Sequence, residues 1–215
     1  MTWKRKEYIW YRCGHALCTF VTYLMLRPKI FGKENIPKSG AILITPNHRS
    51  MLDIPVLGCA FFRPLRFMAK KDLFTNKFIR WYFQTNGSFS IDKSEADPVA
   101  IKRSVSVLKD KDALVIFPEG KRSREADLAE LTPGAGFIAI KAKAPILPIA
   151  ITGLDKVIHL KFGFLPYISR PKVLIGKPII SHLVSNEKSS LILKGLNPEL
   201  KNKMQELYEK SLKLD

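Results

Sequence analysis

The sequence predicts an α/β fold, with a largely parallel central sheet flanked by helices and an N-terminal helical segment that associates with a membrane. Three observations lead to this prediction. Short apolar runs alternate with helical segments, polar motifs follow several of these runs, and a mostly apolar stretch lies near the start of the chain. Alternating strands and helices are typical of a parallel sheet that is covered by helices on both faces.

The predicted elements follow one another without an internal repeat or a long linker. The apolar runs predict strands, and amphipathic or capped stretches predict helices. Strands are expected at Ala41–Thr45, Leu65–Ala69, Ser88–Ile91, Ala113–Phe117, Ile146–Ile151 and Lys172–Ile175. Helices are expected at Met51–Phe62, Asp72–Phe83, Pro98–Lys109 (with Asp97 as N-cap), Gly134–Lys143 and Pro198–Leu214 (with Asn197 as N-cap).

Residues 1–27 form a unit distinct from residues 28–215. Between Tyr8 and Leu26 the chain is mostly apolar, but four polar residues recur at steps of three and four: Arg12, His15, Thr19 and Thr22. Such spacing places them on one stripe of a helix. A narrow polar stripe on an otherwise apolar helix favours a position in the membrane interface. Two alternatives remain, a membrane-spanning helix and a helix packed on the protein body with a wet edge.

The charge of the chain favours anionic partners. Lys and Arg number 36 against 19 Asp and Glu, a formal net charge of +17 at pH 7. This charge suits nucleic acid, anionic lipid headgroups or phosphorylated substrates. Three cysteines without a Cys-x-x-Cys pair favour a reducing compartment and exclude a cysteine-based zinc site.

A first candidate motif, from Asn47 to Asp53, follows the strand that ends at Thr45. The imidazole of His48 suits a general base near neutral pH, and a carboxylate on its other ring nitrogen would orient it. A five-residue step on a continuous helix turns by roughly 140°, so His48 and Asp53 can meet only across a strand-to-helix turn. The alternative is a loop histidine followed by an aspartate that caps the next helix.

A second candidate motif runs from Phe117 to Ser123, directly after another predicted strand. Gly120 permits close backbone approach, and Arg122 offers a planar fork suited to phosphate or carboxylate. The alternative is a solvated basic loop. Two further segments, 87–93 and 144–149, indicate only a strand ending in a turn and a proline-bracketed strand when each is taken alone.

Taken together and in order, these segments make the sequence resemble the lysophosphatidic acid acyltransferase family, within the wider glycerolipid acyltransferase superfamily. The family's signatures are matched by His48 with Asp53, by Gly87 with Ile91-Asp92-Lys93, by Phe117–Ser123 and by Pro145–Ile149. An Ala-Lys-x-x-Leu-Phe element falls at 69–74. The resemblance covers roughly residues 30 to 155, and residues 28–215 would then form the acyltransferase domain.

The resemblance implies a role for each matched residue. His48 would be the general base and Asp53 would orient it. As substrate-binding residues, Arg122 and Lys70 would bind the acceptor's phosphate, and Gly87 and Lys93 would help to hold the acceptor. Glu119 and Gly120 would shape the loop, with Glu119 also contacting the glycerol. Lys93 departs from the family pattern, where an arginine is more usual, so a point charge replaces a bidentate fork there.

The resemblance further implies the reaction and its setting. An acyl group would pass from acyl-CoA or acyl-carrier protein to the sn-2 hydroxyl of 1-acyl-sn-glycerol 3-phosphate, forming phosphatidic acid in phospholipid biosynthesis. No metal and no cofactor other than the acyl donor is expected. The enzyme would lie on the cytoplasmic face of a membrane (the inner membrane if bacterial), held to an anionic surface, without nucleic acid as a partner.

Two alternatives stay open at this point. One is an acyltransferase of the same fold that acts on another lysophospholipid or on a lipid amine, because pocket details choose the acceptor. The other is a basic, non-catalytic protein that binds membranes or nucleic acid, although no RNA-recognition or zinc-finger signature is present. Ser50 and Cys59 are weak candidates for a nucleophile, since neither lies in a nucleophile-elbow sequence.

Overall fold

The computed structural model describes residues 5–70, 75, 80, 81, 83, 85, 87–91, 97–122, 128–154, 158–160, 163–165, 170–180 and 189–214. The helices are α1 (Arg5–Leu26), α2 (Asp53–Gly58), α3 (Pro98–Lys109), α4 (Gly134–Ala142) and α5 (Ser189–Lys213). The strands are β1 (Lys29–Phe31), β2 (Ile42–Pro46), β3 (Leu65–Lys70), β4 (Phe89–Ile91), β5 (Ala113–Val115), β6 (Ile146–Thr152), β7 (Ile158–Leu160), β8 (Gly163–Leu165) and β9 (Lys172–Ile175). Most of the predicted helix 72–83 lies outside the described residues.

In the described part of the chain, seven strands form one sheet in the order β1-β9-β6-β2-β5-β3-β4. Strands β2 to β6 are parallel to their neighbours within this group, whereas β9 runs antiparallel to β6 and β1 follows β9. The prediction of a largely parallel sheet is therefore confirmed. The carboxyl ends of β2 to β6 lie along one side of the sheet, here called the carboxyl edge.

Both faces of the sheet are buried. Along β2, Ile42 and Ile44 pack in one hydrophobic cluster with residues of α2, whereas Leu43 packs in a second cluster with residues of α3, α4 and α5. Strands covered on both faces are expected to be largely apolar, which explains why the central strands β2, β5 and β6 appear in the sequence as mostly apolar runs.

Helices α3 and α2 show how well capping residues and apolar periodicity predict where a helix begins and ends. Helix α3 begins and ends where the sequence predicts, and the Asp97 carboxylate accepts a hydrogen bond of 2.8 Å from the Val99 amide as an N-cap. Helix α2 is shorter than the predicted Met51–Phe62. It gives way to tighter turns, with i→i+3 hydrogen bonds from the amides of Ala60 and Phe61.

The prediction for the last helix was wrong at its start. Helix α5 begins at Ser189, so Asn197 is not its N-cap and Pro198 lies inside the helix. Leu196, Leu200 and Met204 are all buried at four-residue steps, so the apolar stripe continues on both sides of the proline. Packing of this stripe on the sheet offsets the hydrogen bond that the proline removes.

Helix α1 packs on the protein body through a stripe of apolar and polar residues, in which Tyr11, Thr22 and Leu26 are buried and His15 is partly buried. Thr22 is buried, and the Nε2 atom of His15 lies 3.0 Å from the carbonyl oxygen of Gly58 in α2. The Thr22 hydroxyl donates to the Cys18 carbonyl, so its burial leaves no unsatisfied donor. The predicted polar stripe therefore contacts the body through His15 and Thr22, whereas Arg12 is exposed. No helix within the described residues has the length and apolar character needed to cross a membrane.

Candidate active site

The chain leaves β2 at the carboxyl edge through Asn47, whose side chain ties β2 to β6. Its Nδ2 donates to the Ile151 carbonyl at 2.9 Å, and its Oδ1 accepts from the Ile151 amide at 2.6 Å. The asparagine side chain therefore continues the hydrogen bonding between β2 and β6 by one residue. It also holds the backbone in place directly before His48. Sequence analysis assigned no role to Asn47, although its position directly between a strand and His48 was the available signal.

The turn after Asn47 is organised around the carboxylate of Asp53. Its Oδ2 accepts from the Nδ1 of His48 at 2.8 Å and from the backbone amides of Arg49 and Ser50 at 2.7 and 2.9 Å. Asp53 is fully buried, whereas the His48 side chain is 16% exposed. Two backbone N–H donors and an imidazole N–H stabilise the ionised carboxylate away from water. The structure thus supplies the strand-to-helix turn that the His48–Asp53 pairing requires.

His48 is held from a second side by the segment that follows β5. The ring of Phe117 stacks on the imidazole with centroids 4.0 Å apart and planes inclined by 26°. The Oε1 of Glu119 accepts a hydrogen bond of 2.8 Å from the His48 amide. The two candidate motifs, 70 residues apart in sequence, therefore form one site because β2 and β5 are parallel neighbours in the sheet.

Beyond Glu119 the chain turns sharply. Gly120 has a φ of +66°, a left-handed conformation that glycine adopts without strain, and its amide donates to the Phe117 carbonyl. The amide and the hydroxyl of Thr132 both donate to the Pro118 carbonyl, at 2.8 and 3.0 Å. Lys121 and Arg122 follow the turn with exposed side chains. A basic pair is therefore presented at the same edge as His48.

The remaining predicted site residues are Lys70, Gly87 and Lys93, and Lys70 and Gly87 do not lie together in the structure. Lys70 ends β3 at the carboxyl edge, and Lys93 lies outside the described residues. Gly87 precedes β4, at the amino end of that strand, with a φ of +70°. A Cβ at Gly87 would collide with the guanidinium of Arg66, a buried side chain that pairs with Asp112 at 2.6 Å. The structure thus shows a local packing reason for Gly87, and its contact with the acceptor stays a prediction.

Helix α5 reaches the site from the far end of the chain. The guanidinium of Arg49 lies over the ring of Tyr208, 5.1 Å from its centroid. One turn on, the buried hydroxyls of Ser211 and Thr152 are 2.8 Å apart, which joins α5 to the carboxyl end of β6. These contacts make α5 part of the wall around the turn that carries His48, a role that its sequence did not reveal.

The two alternative nucleophiles have structural roles. Ser50 is buried, and its hydroxyl accepts from the Leu52 amide at 3.2 Å within the turn. Burial raises the pKa of the Cys59 thiol to about 12, and this thiol donates to the Pro55 carbonyl. A thiol with that pKa is almost wholly protonated at neutral pH and so is a poor nucleophile. No cluster of three potential metal ligands is found among the residues that the structure describes.

Comparison with known proteins places this geometry in a family. The acyltransferase family model matches residues 27–152, which include β1 to β6 and both motifs. A 1-acyl-sn-glycerol-3-phosphate acyltransferase of Bacillus subtilis is 32% identical over 204 residues, which cover 91% of this chain and 98% of the relative. The enzyme of the same name from Saccharomyces cerevisiae is 34% identical over 73% of this chain and 52% of its own length.

The fold has a counterpart among solved structures. The crystal structure of the 1-acyl-sn-glycerophosphate acyltransferase from Thermotoga maritima superposes with a TM-score of 0.70, at 24% identity, over 90% of this chain and 78% of the other. This likeness shows the fold, while the match to residues 27–152 and the Bacillus relative show the family. The chain belongs to the acyltransferase family.

Proposed function

We propose that this chain transfers a fatty acyl group from acyl-CoA or acyl-carrier protein to the sn-2 hydroxyl of 1-acyl-sn-glycerol 3-phosphate, forming phosphatidic acid for phospholipid biosynthesis. Relatives that carry the name of this reaction support the acceptor assignment. The observation that carries the chemistry is the 2.8 Å hydrogen bond between His48 Nδ1 and the buried Asp53 carboxylate. It leaves Nε2 as the ring nitrogen that accepts a proton.

The reaction begins with proton removal. His48 Nε2 takes the proton of the acceptor hydroxyl as its oxygen attacks the carbonyl carbon of the thioester, and the carbonyl π electrons move to oxygen. The Asp53 carboxylate stabilises the imidazolium that forms and keeps the ring in one orientation. General-base assistance of this kind contributes about 10²–10⁴-fold to rate.

Collapse of the tetrahedral intermediate completes the transfer. The carbonyl re-forms, the carbon–sulfur bond breaks, and the thiolate leaves, taking up the proton from His48. The acceptor oxygen is itself the nucleophile, so no acyl-enzyme is required. The structural roles of Ser50 and Cys59 support this direct transfer.

The acceptor phosphate is bound by the basic residues of the carboxyl edge. Arg122 is exposed two residues after the Gly120 turn, and Lys70 ends the neighbouring strand β3. A guanidinium binds phosphate through two parallel hydrogen bonds, and a lysine adds a point charge. The net charge of +17 favours the approach of anionic substrates and of an anionic membrane surface.

Helix α1 is the proposed membrane contact, at a cytoplasmic surface. Tyr11, Thr22 and Leu26 face the protein, and the outward face is mostly apolar. The exposed side chains on this face are Ile9, Trp10, Leu17, Phe20, Val21, Tyr23, Leu24 and Met25. Contiguous exposed apolar surface of this kind marks an interaction site, and a helix can bury such a face in the headgroup region without spanning the bilayer.

Replacement of His48 by alanine tests the base assignment. Acyl transfer to lysophosphatidic acid in detergent micelles should fall by about 10²–10⁴-fold, because the proton acceptor is removed. The matched control is His15→Ala, which removes a histidine outside the site and should leave turnover in micelles unchanged. Near-full turnover by His48→Ala, with the wild-type melting temperature, would contradict the proposed mechanism.

A panel of acceptors with one acyl donor tests the substrate. Labelled acyl-CoA or acyl-carrier protein is offered with lysophosphatidic acid, lysophosphatidylethanolamine, monoacylglycerol or a lipid amine, and products are separated by thin-layer chromatography. The basic residues at the site favour the phosphomonoester, so kcat/KM should be highest for lysophosphatidic acid. Preference for an acceptor without a phosphomonoester would replace the proposed acceptor while leaving the acyl-transfer chemistry in place.

A further inference from the structure

Glu119 is a buried acid whose two oxygens are both bonded to backbone amides. Oε1 accepts from the His48 amide at 2.8 Å, and Oε2 accepts from the Ala129 amide at 3.3 Å. The residue is only 4% exposed. One carboxylate therefore links the turn after β2 to the chain segment that precedes α4, and it does so inside the protein.

This geometry differs from that of a group that binds a lipid headgroup. A substrate-binding side chain presents its polar atoms to solvent or to the cleft, whereas the carboxylate of Glu119 meets donors of its own chain. Hydrogen bonds from N–H groups to an ionised carboxylate are about twice as strong as neutral ones. Leaving a buried charge without such donors is costly, so the charge holds both backbone segments in place.

The bond to the His48 amide bears directly on the imidazole. With the Nδ1 bond to Asp53 and the Phe117 stack, it is one of three contacts that locate this residue. The first restrains the side chain, the second supports the ring face, and the third sets the backbone from which the side chain projects. Loss of the third would shift the ring relative to an acceptor hydroxyl.

We propose that Glu119 is a positioning residue, which sets the location of His48 through its backbone amide and does not bind the acceptor. The kinetic part of the inference rests on the proposed function, whereas the structural part stands on the two hydrogen bonds alone. The role implied by the family resemblance, contact with the acceptor's glycerol, is thereby replaced by an action through His48.

Two variants with a matched control test this role. Glu119→Asp shortens the side chain by one methylene, so a single carboxylate no longer reaches both amides. Glu119→Gln keeps the length but places an NH2 group where one amide donor needs an acceptor. The control, Glu130→Gln, removes an exposed glutamate from the same segment, where it pairs with Lys201 at the surface.

The expected result is a fall in kcat without a matching change in acceptor KM. A small displacement of a catalytic group costs about 10²-fold in rate, so Glu119→Asp should lose roughly that factor in kcat. KM for lysophosphatidic acid should stay within about twofold of wild type, because the binding groups are untouched. Hydrogen–deuterium exchange should accelerate at residues 47–50 in both variants, and Glu130→Gln should match wild type in both assays.

Two results would overturn the inference. A raised acceptor KM with wild-type kcat and wild-type exchange at residues 47–50 would make Glu119 a substrate contact. Unchanged kinetics with unchanged exchange would remove any role. If the wild-type protein does not acylate lysophosphatidic acid, the proposed function fails, while the exchange experiment still decides whether Glu119 holds the His48 backbone.

Discussion

The turn after β2 (residues 47–53) and helix α1 both contain polar and apolar side chains, but the polar side chains have different roles in the two regions. Asn47 and Asp53 in this turn, and Glu119 in the segment after β5, are buried, and each accepts a hydrogen bond from a backbone amide. In α1, the polar side chains of His15 and Thr22 face the body, and large apolar side chains such as Leu17 and Phe20, each 66% exposed, face outward.

This difference indicates which kind of contact stabilises each region. Buried polar groups that accept several hydrogen bonds from the chain define one geometry, because a shift would lose those hydrogen bonds away from water. Exposure of an apolar face to water is unfavourable, and the free energy falls when another apolar surface covers that face. The turn is therefore held by contacts within this chain, whereas the outward face of α1 is the surface for which we propose a membrane contact.

Substitution of Asp53 by asparagine removes the negative charge beside His48 and is expected to have the largest effect on kcat. An amide oxygen can still accept from the amides of Arg49 and Ser50, but a neutral group cannot stabilise an imidazolium. We expect kcat to fall by about 10²–10⁴-fold, with vesicle binding unchanged. Asp97→Asn is the matched control, since asparagine is an equally good N-cap for α3. Full activity of Asp53→Asn would remove the acid from the mechanism.

The converse experiment alters α1 and leaves the turn intact. In the double variant Leu17→Glu with Phe20→Glu, two large apolar side chains become charged. Burial of each contributes about 1.5–3 kcal/mol, so association with anionic phospholipid vesicles should weaken at least about tenfold. Turnover in detergent micelles should not change. Val99→Glu, at an exposed site on α3, is the control, and unaltered sedimentation of the double variant with vesicles would exclude this face as the anchor.

Replacement of Gly87 by alanine separates packing from substrate contact. The left-handed backbone and the collision with Arg66 predict a loss of about 1–3 kcal/mol in the free energy of unfolding, seen as a lower melting temperature. Acceptor KM should be unchanged. The control is Gly134→Ala, where an added Cβ meets no atom within 4 Å. An unchanged melting temperature with a raised acceptor KM would instead support the contact implied by the family signature.

The smallest effect is expected from alkylation of the cysteines at pH 8. Burial raises the Cys59 pKa from 9.0 to about 12, so the thiol stays protonated and unlabelled, whereas exposed Cys13 should react. Activity should be retained, with labelled peptides identified by mass spectrometry. Stability from the buried neutral thiol is present below pH 9 and is lost as the pH rises toward 12. Loss of activity in step with Cys59 labelling would restore the thiol as a nucleophile.

Local signals predicted the elements whose boundaries depend on nearby residues. Asp97 followed by Pro98 marked the start of α3, because capping and a fixed φ act within one turn. The same kind of signal failed at Asn197 and Pro198, where the buried stripe of α5 outweighs the proline. The need for glycine at position 87 was not foreseeable, since the guanidinium of Arg66, which leaves no room for a Cβ there, belongs to a residue 21 positions earlier in the chain.

The amino-acid sequence was sufficient to predict the α/β class, the parallel character of the sheet and the ordered motifs. Hydrophobic periodicity and motif spacing can be read from the chain without its fold. It also indicated that His48 and Asp53 need a turn between them. The folded structure was needed to show that Glu119 bonds to the His48 amide and that His15 and Thr22 of α1 face the protein body. Those facts depend on which strands become neighbours and on which surface a helix finds to pack against, and both are settled by long-range packing.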